Sequence, residues 1–218
     1  MKILICAATA MEITPFLSDN SRAIDNDTID TLITGIGLTA TTYSLTRYLS
    51  LRQPDLVIQA GIGGCFDKRI PLATVLAVKQ EAIADESVIE NNIFKTLFDL
   101  KLVSKNRFPY KNGWLINAHS ANLQTKTKLR FVKGISINEI TASKQTIENY
   151  QNAFQPTIES MEGAALHFTC LMEKIPFLQL RAVSNYVGER DKKKWKMQES
   201  VNNLNNELKR LLPVFLAM

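Results

Sequence analysis

The sequence predicts a single α/β domain in which helices flank a central mixed β-sheet. Three observations carry that prediction. Short apolar runs rich in β-branched residues alternate with stretches whose apolar residues recur at helical spacing. Two of the runs close in glycine clusters, Gly35-Ile-Gly37 and Gly61-Ile-Gly63-Gly64. No internal repeat, low-complexity tract or Pro/Gly/Ser linker divides the 218 residues. A chain of that length buries roughly 70% of its unfolded surface and needs no disulfide or metal staple.

In order along the chain, Lys2–Ala7 reads as the first strand and Thr31–Thr34 as the second. Leu38–Leu49 reads as a helix, and Leu56–Gln59 as a third strand ending at the glycine cluster. Ala73–Val78 is the fourth strand, on its β-branched content. From Glu81 to Lys128, loop signals at Asn91-Asn92, Asn106 to Pro109 and Asn112-Gly113 predict insertions around a sheet edge. Arg130–Lys133 reads as a strand, Gln145–Phe154 as a helix and Thr157–Ser160 as a short strand. Glu162–Lys174 is a helix with Ala165, Phe168 and Met172 on one face, and Phe177–Val183 is a strand entered through Pro176. Val201, Leu204, Leu208, Leu211, Leu212 and Phe215 make the C-terminus a long amphipathic helix.

Composition excludes several functions. The three cysteines are odd in number, far apart and without CxxC spacing, which points to reduced thiols and a cytoplasmic location. The N-terminus does not read as a signal peptide, and no apolar stretch approaches the roughly 18 residues of a membrane span. The net charge of +5 gathers at Lys126–Lys133 and Arg190–Lys196, without a nucleic-acid-binding signature beside it. An anionic small molecule or a solvated face explains those clusters equally well.

In such sheets ligands sit at the carboxyl ends of strands. The stretch Gly35-Ile-Gly37-Leu-Thr-Ala40 satisfies a dinucleotide fingerprint, but the next strand ends at Gln59-Ala60 rather than in the acidic residue that would hold a ribose. Neither glycine cluster leads into Lys-Ser/Thr. With two histidines, one in a loop and one in a helix, and no GxSxG elbow, no metal and no cofactor are expected. Carboxylates and amides at strand ends remain, and they suit cleavage of a ribosyl–purine bond. That reaction needs a carboxylate to deprotonate water, a second to hold the ribose hydroxyls, and a hydrogen-bonding group for the leaving base. Glu12, Glu162 and Asn185 could fill these roles. On spacing alone, Glu12 and Glu162 serve equally well as charges at helix starts, and Asn185 as a turn residue.

Five motifs, in order along nearly the whole chain, resemble the methylthioadenosine/S-adenosylhomocysteine nucleosidases and related nucleoside phosphorylases. They are Ala10-Met-Glu12, Thr34-Gly-Ile-Gly37, Gln59-Ala-Gly-Ile-Gly-Gly64, Ser160-Met-Glu-Gly-Ala164 and Arg181-Ala-Val-Ser-Asn185. The resemblance implies a nucleoside phosphorylase-like domain over residues 1–218, at least dimeric, acting on a small purine nucleoside and not on nucleic acid or membrane. It implies that Glu12 activates water and that Gly61, Ile62, Gly63 and Gly64 approach base and water. Met161 would pack on the ribose, and Glu162 would take its 2′ and 3′ hydroxyls. Ser184 and Asn185 would meet the base, with Ile137 and Trp195 in the same substrate-contacting set.

The departures from the family pattern refine the substrate. An aspartate stands in the family where this chain has Asn185. An asparagine amide offers one donor group and one acceptor, so it suits a base with an oxygen at C6 and a proton on N7. Asn185, Ser160-Met-Glu-Gly-Ala-Ala165 and Arg190-Asp-Lys-Lys-Lys-Trp195 together resemble the futalosine hydrolases, whose substrate joins hypoxanthine to a carboxyphenyl tail. The basic segment, Arg190 and Lys194 foremost, is then expected to read the tail carboxylate. A carboxylate at Glu12 would repel phosphate, which favours water as nucleophile. An adenine-releasing nucleosidase and a purine phosphorylase are the alternatives. The family's first glutamate of Glu-Met-Glu is Ser160 here, with Glu159 one place earlier.

Overall fold

Strands longer than the apolar runs suggested build the centre of the molecule. The computed structural model describes residues 1–19 and 28–217. The strands are β1 (Ile3–Ala7), β2 (Ile29–Ile33), β3 (Leu56–Cys65), β4 (Val75–Ile83), β5 (Ser87–Glu90), β6 (Ile93–Thr96), β7 (Tyr110–Lys111), β8 (Trp114–Ile116), β9 (Phe131–Ser136), β10 (Ile158–Ser160) and β11 (Phe177–Tyr186). The helices are α1 (Ala10–Asp19), α2 (Leu38–Leu51), α3 (Ser120–Thr127), α4 (Lys144–Phe154), α5 (Gly163–Met172) and α6 (Met197–Leu216). Among them no helix is long and apolar enough to cross a membrane.

The sheet is mixed. β1 runs parallel to β2 and β3, while β10 is antiparallel to β3 and parallel to β9. β4 pairs parallel with β9 and antiparallel with β11, which returns to β3 in parallel. The pairings β3–β10–β9–β4–β11–β3 therefore form a closed ring. β8 and β7 extend the sheet beyond β4, so the poorly legible middle of the chain does form an edge; β5 and β6 make a separate hairpin.

The ring corrects one expectation. β3 does not stop at Gln59 but continues through Gly61, Gly63 and Gly64 to Cys65, because its second half is laddered by β10 on one side and β11 on the other. These glycines serve close approach in a strand, not turns. A side chain at Gly63 would put its Cβ 2.7 Å from the Glu159 carbonyl oxygen.

Period-two alternation sorts β11 onto two faces. Leu178, Leu180 and Ala182 enter the core under α1 and α6, to which Leu204, Leu208, Leu211, Leu212 and Phe215 also belong. Each such buried side chain contributes roughly 1.5–3 kcal/mol, which is what docks the predicted C-terminal stripe. Gln179 and Arg181 lie on the opposite face, fully buried. That face is covered by α5, which is buried nearly all round. Along the face that carries Ala165, Phe168 and Met172, Ala165 is buried, Phe168 half-buried and Met172 exposed, while Ala164, Leu166 and Cys170 are fully buried.

Candidate active site

Carboxyl ends of β1, β2, β3, β10 and β11 converge on a cavity of about 250 Å³. Glu12 enters it from the first turn of α1, a helix the sequence reading did not delineate. Its carboxylate is held by three donors. Thr9 gives its amide (3.0 Å) and hydroxyl (3.1 Å) to Oε2, and the Ile62 amide reaches Oε1 at 3.2 Å. Behind it, the Asn205 side chain from α6 accepts from the Phe16 amide (2.8 Å) and donates to the Glu12 carbonyl (2.8 Å). It thereby spans the two groups that an i→i−4 helical bond joins, one residue from the helix-internal Pro15. The backbone that carries Glu12 is fixed by the C-terminal helix.

Glu162 lies at the N-terminus of α5 and is buried. Its Oε1 accepts from the Gly37 amide at 3.1 Å, and its Oε2 lies 3.5 Å from Nη2 of Arg181. Gly37 has φ 91° and opens α2, so the glycine that mimics a dinucleotide fingerprint serves to aim an amide at Glu162. Arg181 also donates to Gln59 Oε1 at 2.6 Å. A Cβ at Gly61 would fall 1.9 Å from Nη1 of Arg181 and 3.1 Å from Oε1 of Glu12. Only glycine at 61 leaves room for the guanidinium where it lies.

Asn185 sits at the end of β11, beyond the bulge at Val183/Asn185. Its Nδ2 donates to the Tyr186 carbonyl at 3.2 Å. The Ser184 hydroxyl lies 2.8 Å from Asn185 Oδ1 and 3.2 Å from the Gly63 carbonyl, and its one hydrogen serves one of them at a time. The amide therefore keeps a second hydrogen and a lone pair for a ligand. Trp195 reaches the wall from the segment after β11. Its indole N–H bonds the Glu189 carbonyl (3.0 Å), and the Lys196 amide returns to Ser184 O (2.8 Å).

The structure thus brings Glu12, Ile62, Gly63, Gly64, Ile137, Met161, Glu162, Ser184, Asn185 and Trp195 to one wall. Gly61 stands just beneath it. Arg190 and Lys194 do not line the cavity: Arg190 is exposed, and Lys194 is ion-paired with Glu189 at 2.8 Å. The sequence reading missed Thr9, Gly37 and Arg181 as site residues. For Arg181 a signal existed, since Gln179 and Arg181 put polar groups at period two inside an otherwise apolar strand.

A second polar cluster lies beneath α5. Glu81, fully buried, accepts from Gln179 Nε2 (2.8 Å) and from the Ser136 hydroxyl (3.2 Å), which accepts the Ala164 amide (2.8 Å). Burial raises its carboxyl to about 7. His167, also fully buried, is pushed down to about 4 by desolvation, and its Nδ1 meets the Leu115 carbonyl at 2.9 Å. A Cβ at Gly163 would lie 2.2 Å from Glu81 Oε1, which explains the glycine that follows Glu162.

The phosphorylase superfamily model matches residues 26–218, and the chain belongs to that family. It is 26% identical over 184 residues to the futalosine hydrolase of Thermus thermophilus, covering 83% of this chain and 80% of that one. It is 28% identical over 164 residues to the futalosine hydrolase of Streptomyces coelicolor, covering 75% and 67%. Its fold matches the crystal structure of the Helicobacter pylori 5′-methylthioadenosine/S-adenosylhomocysteine nucleosidase with a TM-score of 0.79, at 18% identity over 98% of each chain.

Proposed function

We propose that this member of the phosphorylase superfamily hydrolyses the N-glycosidic bond of futalosine and releases hypoxanthine. The observation that carries hydrolysis is the set of donors around Glu12. The Thr9 and Ile62 amides are the backbone groups at the cavity floor that an anionic nucleophile would use. Here both are taken by a carboxylate. Phosphate would meet Glu12 and Glu162 without an uncommitted donor set, whereas water can donate to Glu12.

In the proposed reaction, water attacks C1′ while Glu12 accepts its proton. The C1′–N9 pair leaves with the purine, and a proton from solvent neutralises the base, because the Asn185 amide supplies none. Asn185 donates to O6 and accepts from protonated N7. Glu162, fixed by Gly37 and Arg181, takes the ribose hydroxyls. Gly61, Ile62, Gly63 and Gly64 bring backbone to the reacting atoms, while Met161, Ile137 and Trp195 supply apolar walls. Arg190 and Lys194, on the segment leading into Trp195, are assigned to the distal carboxylate.

This reading places the chain in menaquinone biosynthesis, in the cytoplasm, as one domain that forms a homodimer or higher homo-oligomer. The exposed Met11, Ile36 and Ile140 at the cavity rim support assembly, since a second copy would cover them. Incubation with futalosine, aminofutalosine, methylthioadenosine and inosine, with and without phosphate, tests the reading by chromatography of the released base. Phosphate-independent release of hypoxanthine from futalosine is expected. Preferential release of adenine from methylthioadenosine, or a requirement for phosphate, would replace it with a nucleosidase or phosphorylase of the same family.

A further inference from the structure

Glu162 occupies the N-cap of α5, yet its side chain makes no capping hydrogen bond. A polar side chain at this position ordinarily accepts one of the first-turn N–H groups. The Glu162 carboxylate instead lines the cavity, held by the Gly37 amide and Arg181. Neighbouring strands do the capping in its place. The Gly163 amide donates to the Ser160 hydroxyl of β10 at 3.3 Å, and the Ala164 amide to the Ser136 hydroxyl of β9 at 2.8 Å. Ser136 gives its own hydrogen to Oε2 of Glu81, 3.2 Å away on β4. The amide of Ala164 is thus tied through one hydroxyl to a fully buried carboxyl group.

The slot that holds Glu81 is made by two absent side chains. Gly134 is its register partner across the β4–β9 ladder, and a Cβ there would lie 2.5 Å from Oε1 of Glu81. A Cβ at Gly163, directly after Glu162, would lie 2.2 Å from the same oxygen. That oxygen accepts from Gln179 Nε2 of β11 at 2.8 Å. The carboxyl group is therefore wedged between two strands and the first turn of α5, and close packing couples its place to that of the Glu162 backbone. We propose that Glu81 is a positioning residue: through Ser136 and its packing on Gly163 it fixes the first turn of α5, which leaves the Glu162 carboxylate free for the ribose hydroxyls. This role rests on Glu162 being the ribose ligand of the proposed function.

The test uses Ser136→Ala, Glu81→Leu and Glu81→Gln, with futalosine as substrate and three ligands in calorimetry. These are 9-deazainosine, whose C–C glycosidic bond is not hydrolysed, its 2′-deoxy form, and free hypoxanthine. Wild type is expected to bind the ribo form about 10- to 100-fold more tightly than the deoxy form, the worth of a hydrogen bond to a charged group. Ser136→Ala and Glu81→Leu should cut that preference by at least about fivefold and lower kcat/KM for futalosine by roughly tenfold. Their affinity for hypoxanthine, which has no ribose, should stay within about twofold of wild type. Glu81→Gln should keep the ribose preference within about twofold, because its amide oxygen can accept from Ser136. Its NH₂ can then meet a turned Gln179, whose Oε1 has no partner. If Glu81→Leu does not fold, Ser136→Ala, which removes one hydroxyl, decides alone. An undiminished ribose preference in Ser136→Ala, or equal losses on hypoxanthine and both nucleosides, would overturn the proposal. So would a Glu81→Gln protein that loses as much preference as Glu81→Leu. A wild type that binds the ribo and deoxy forms alike would take Glu162 off the diol and this role with it. Loss of the ribose preference in the variants of a protein that cleaves no futalosine would sink the proposed function while supporting the role of Glu81.

Discussion

Glu12→Gln separates chemistry from architecture at the cavity floor. The side chain keeps its length, so its carbonyl can replace Oε2 and retain the Thr9 amide and hydroxyl bonds. Its NH₂ then replaces Oε1 and faces the Ile62 amide, donor against donor. One bond to a charged acceptor is lost and one backbone N–H is left unsatisfied, a cost of about 1–3 kcal/mol in stability. The loss in rate should be much larger, because an amide does not take water's proton. A positioned general base contributes about 10²- to 10⁴-fold, equivalent to about 3–5 kcal/mol of activation free energy. Urea unfolding measures the first quantity and single-turnover hydrolysis of futalosine the second, while substrate affinity should stay within a few-fold. A variant that hydrolyses at near wild-type rate would show that Glu12 is not the base. One that loses rate only in proportion to a collapse in binding would assign it to substrate positioning.

Asn185→Asp should move the ratio of futalosine to aminofutalosine hydrolysis toward aminofutalosine, since the carboxylate has no hydrogen for O6 and also forfeits the bond to the Tyr186 carbonyl; an unchanged ratio would refute the assignment. Methyl esterification of futalosine should weaken binding to wild type by roughly ten- to a hundredfold and weaken it less in Arg190→Ala or Lys194→Ala. Equal affinity of acid and ester for wild type would remove these residues from substrate recognition. Stability should depend on pH through Glu81, whose carboxyl stands at about 7 in the folded protein against an ordinary 4.5. The native state keeps a proton that the unfolded chain has released, so this group makes stability fall as pH rises from 4.5 to about 7. His167, lowered to about 4 from 6.5, works in the opposite sense, adding stability as pH rises through that window. Glu81→Gln mimics the protonated form, so its unfolding free energy relative to wild type should improve by about 3 kcal/mol between pH 5 and pH 8. Parallel urea-derived profiles for the two proteins would refute it.

What the sequence disclosed follows from what is periodic or chemically conspicuous. The stripe from Val201 to Phe215 repeats at helical spacing and is buried as a stripe. Thr31–Ile33 and Phe177–Val183 fall within strands because β-branched residues and alternation mark them, while the expected end at Thr34 lies one residue beyond β2. Strand length was hidden where pairing rather than side-chain pattern sets it. Gly61 to Gly64 carry no β propensity, yet two neighbouring strands hold them extended. Spacing does not single out an inner face on α5, because the helix is apolar on nearly every side. At the site, Glu12, Ile62, Glu162 and Asn185 were legible as parts of motifs, whereas the bonds from Thr9 and Gly37 to the two carboxylates were not, because only the fold says where an N–H or a hydroxyl points.

The electrostatics of the floor also explain why one arginine is buried there. Glu12 and Glu162 face the same cavity, and two carboxylates close together in a partly dry site repel each other. Arg181 lies beside this pair, where its planar head reaches Glu162 and Gln59 while the missing side chain of Gly61 leaves room for its other edge. Taking such charges out of water is costly unless they are partnered, and the amides of Thr9, Ile62 and Gly37, the Thr9 hydroxyl and the Gln59 side chain share that work. The arrangement orients both carboxylates before substrate arrives, as a general base and a ribose ligand would require. It also commits the buried Arg181 to Glu162 and Gln59. An incoming phosphate would find negative charge already installed and the positive charge already spoken for, whereas a neutral water molecule would find an oriented acceptor.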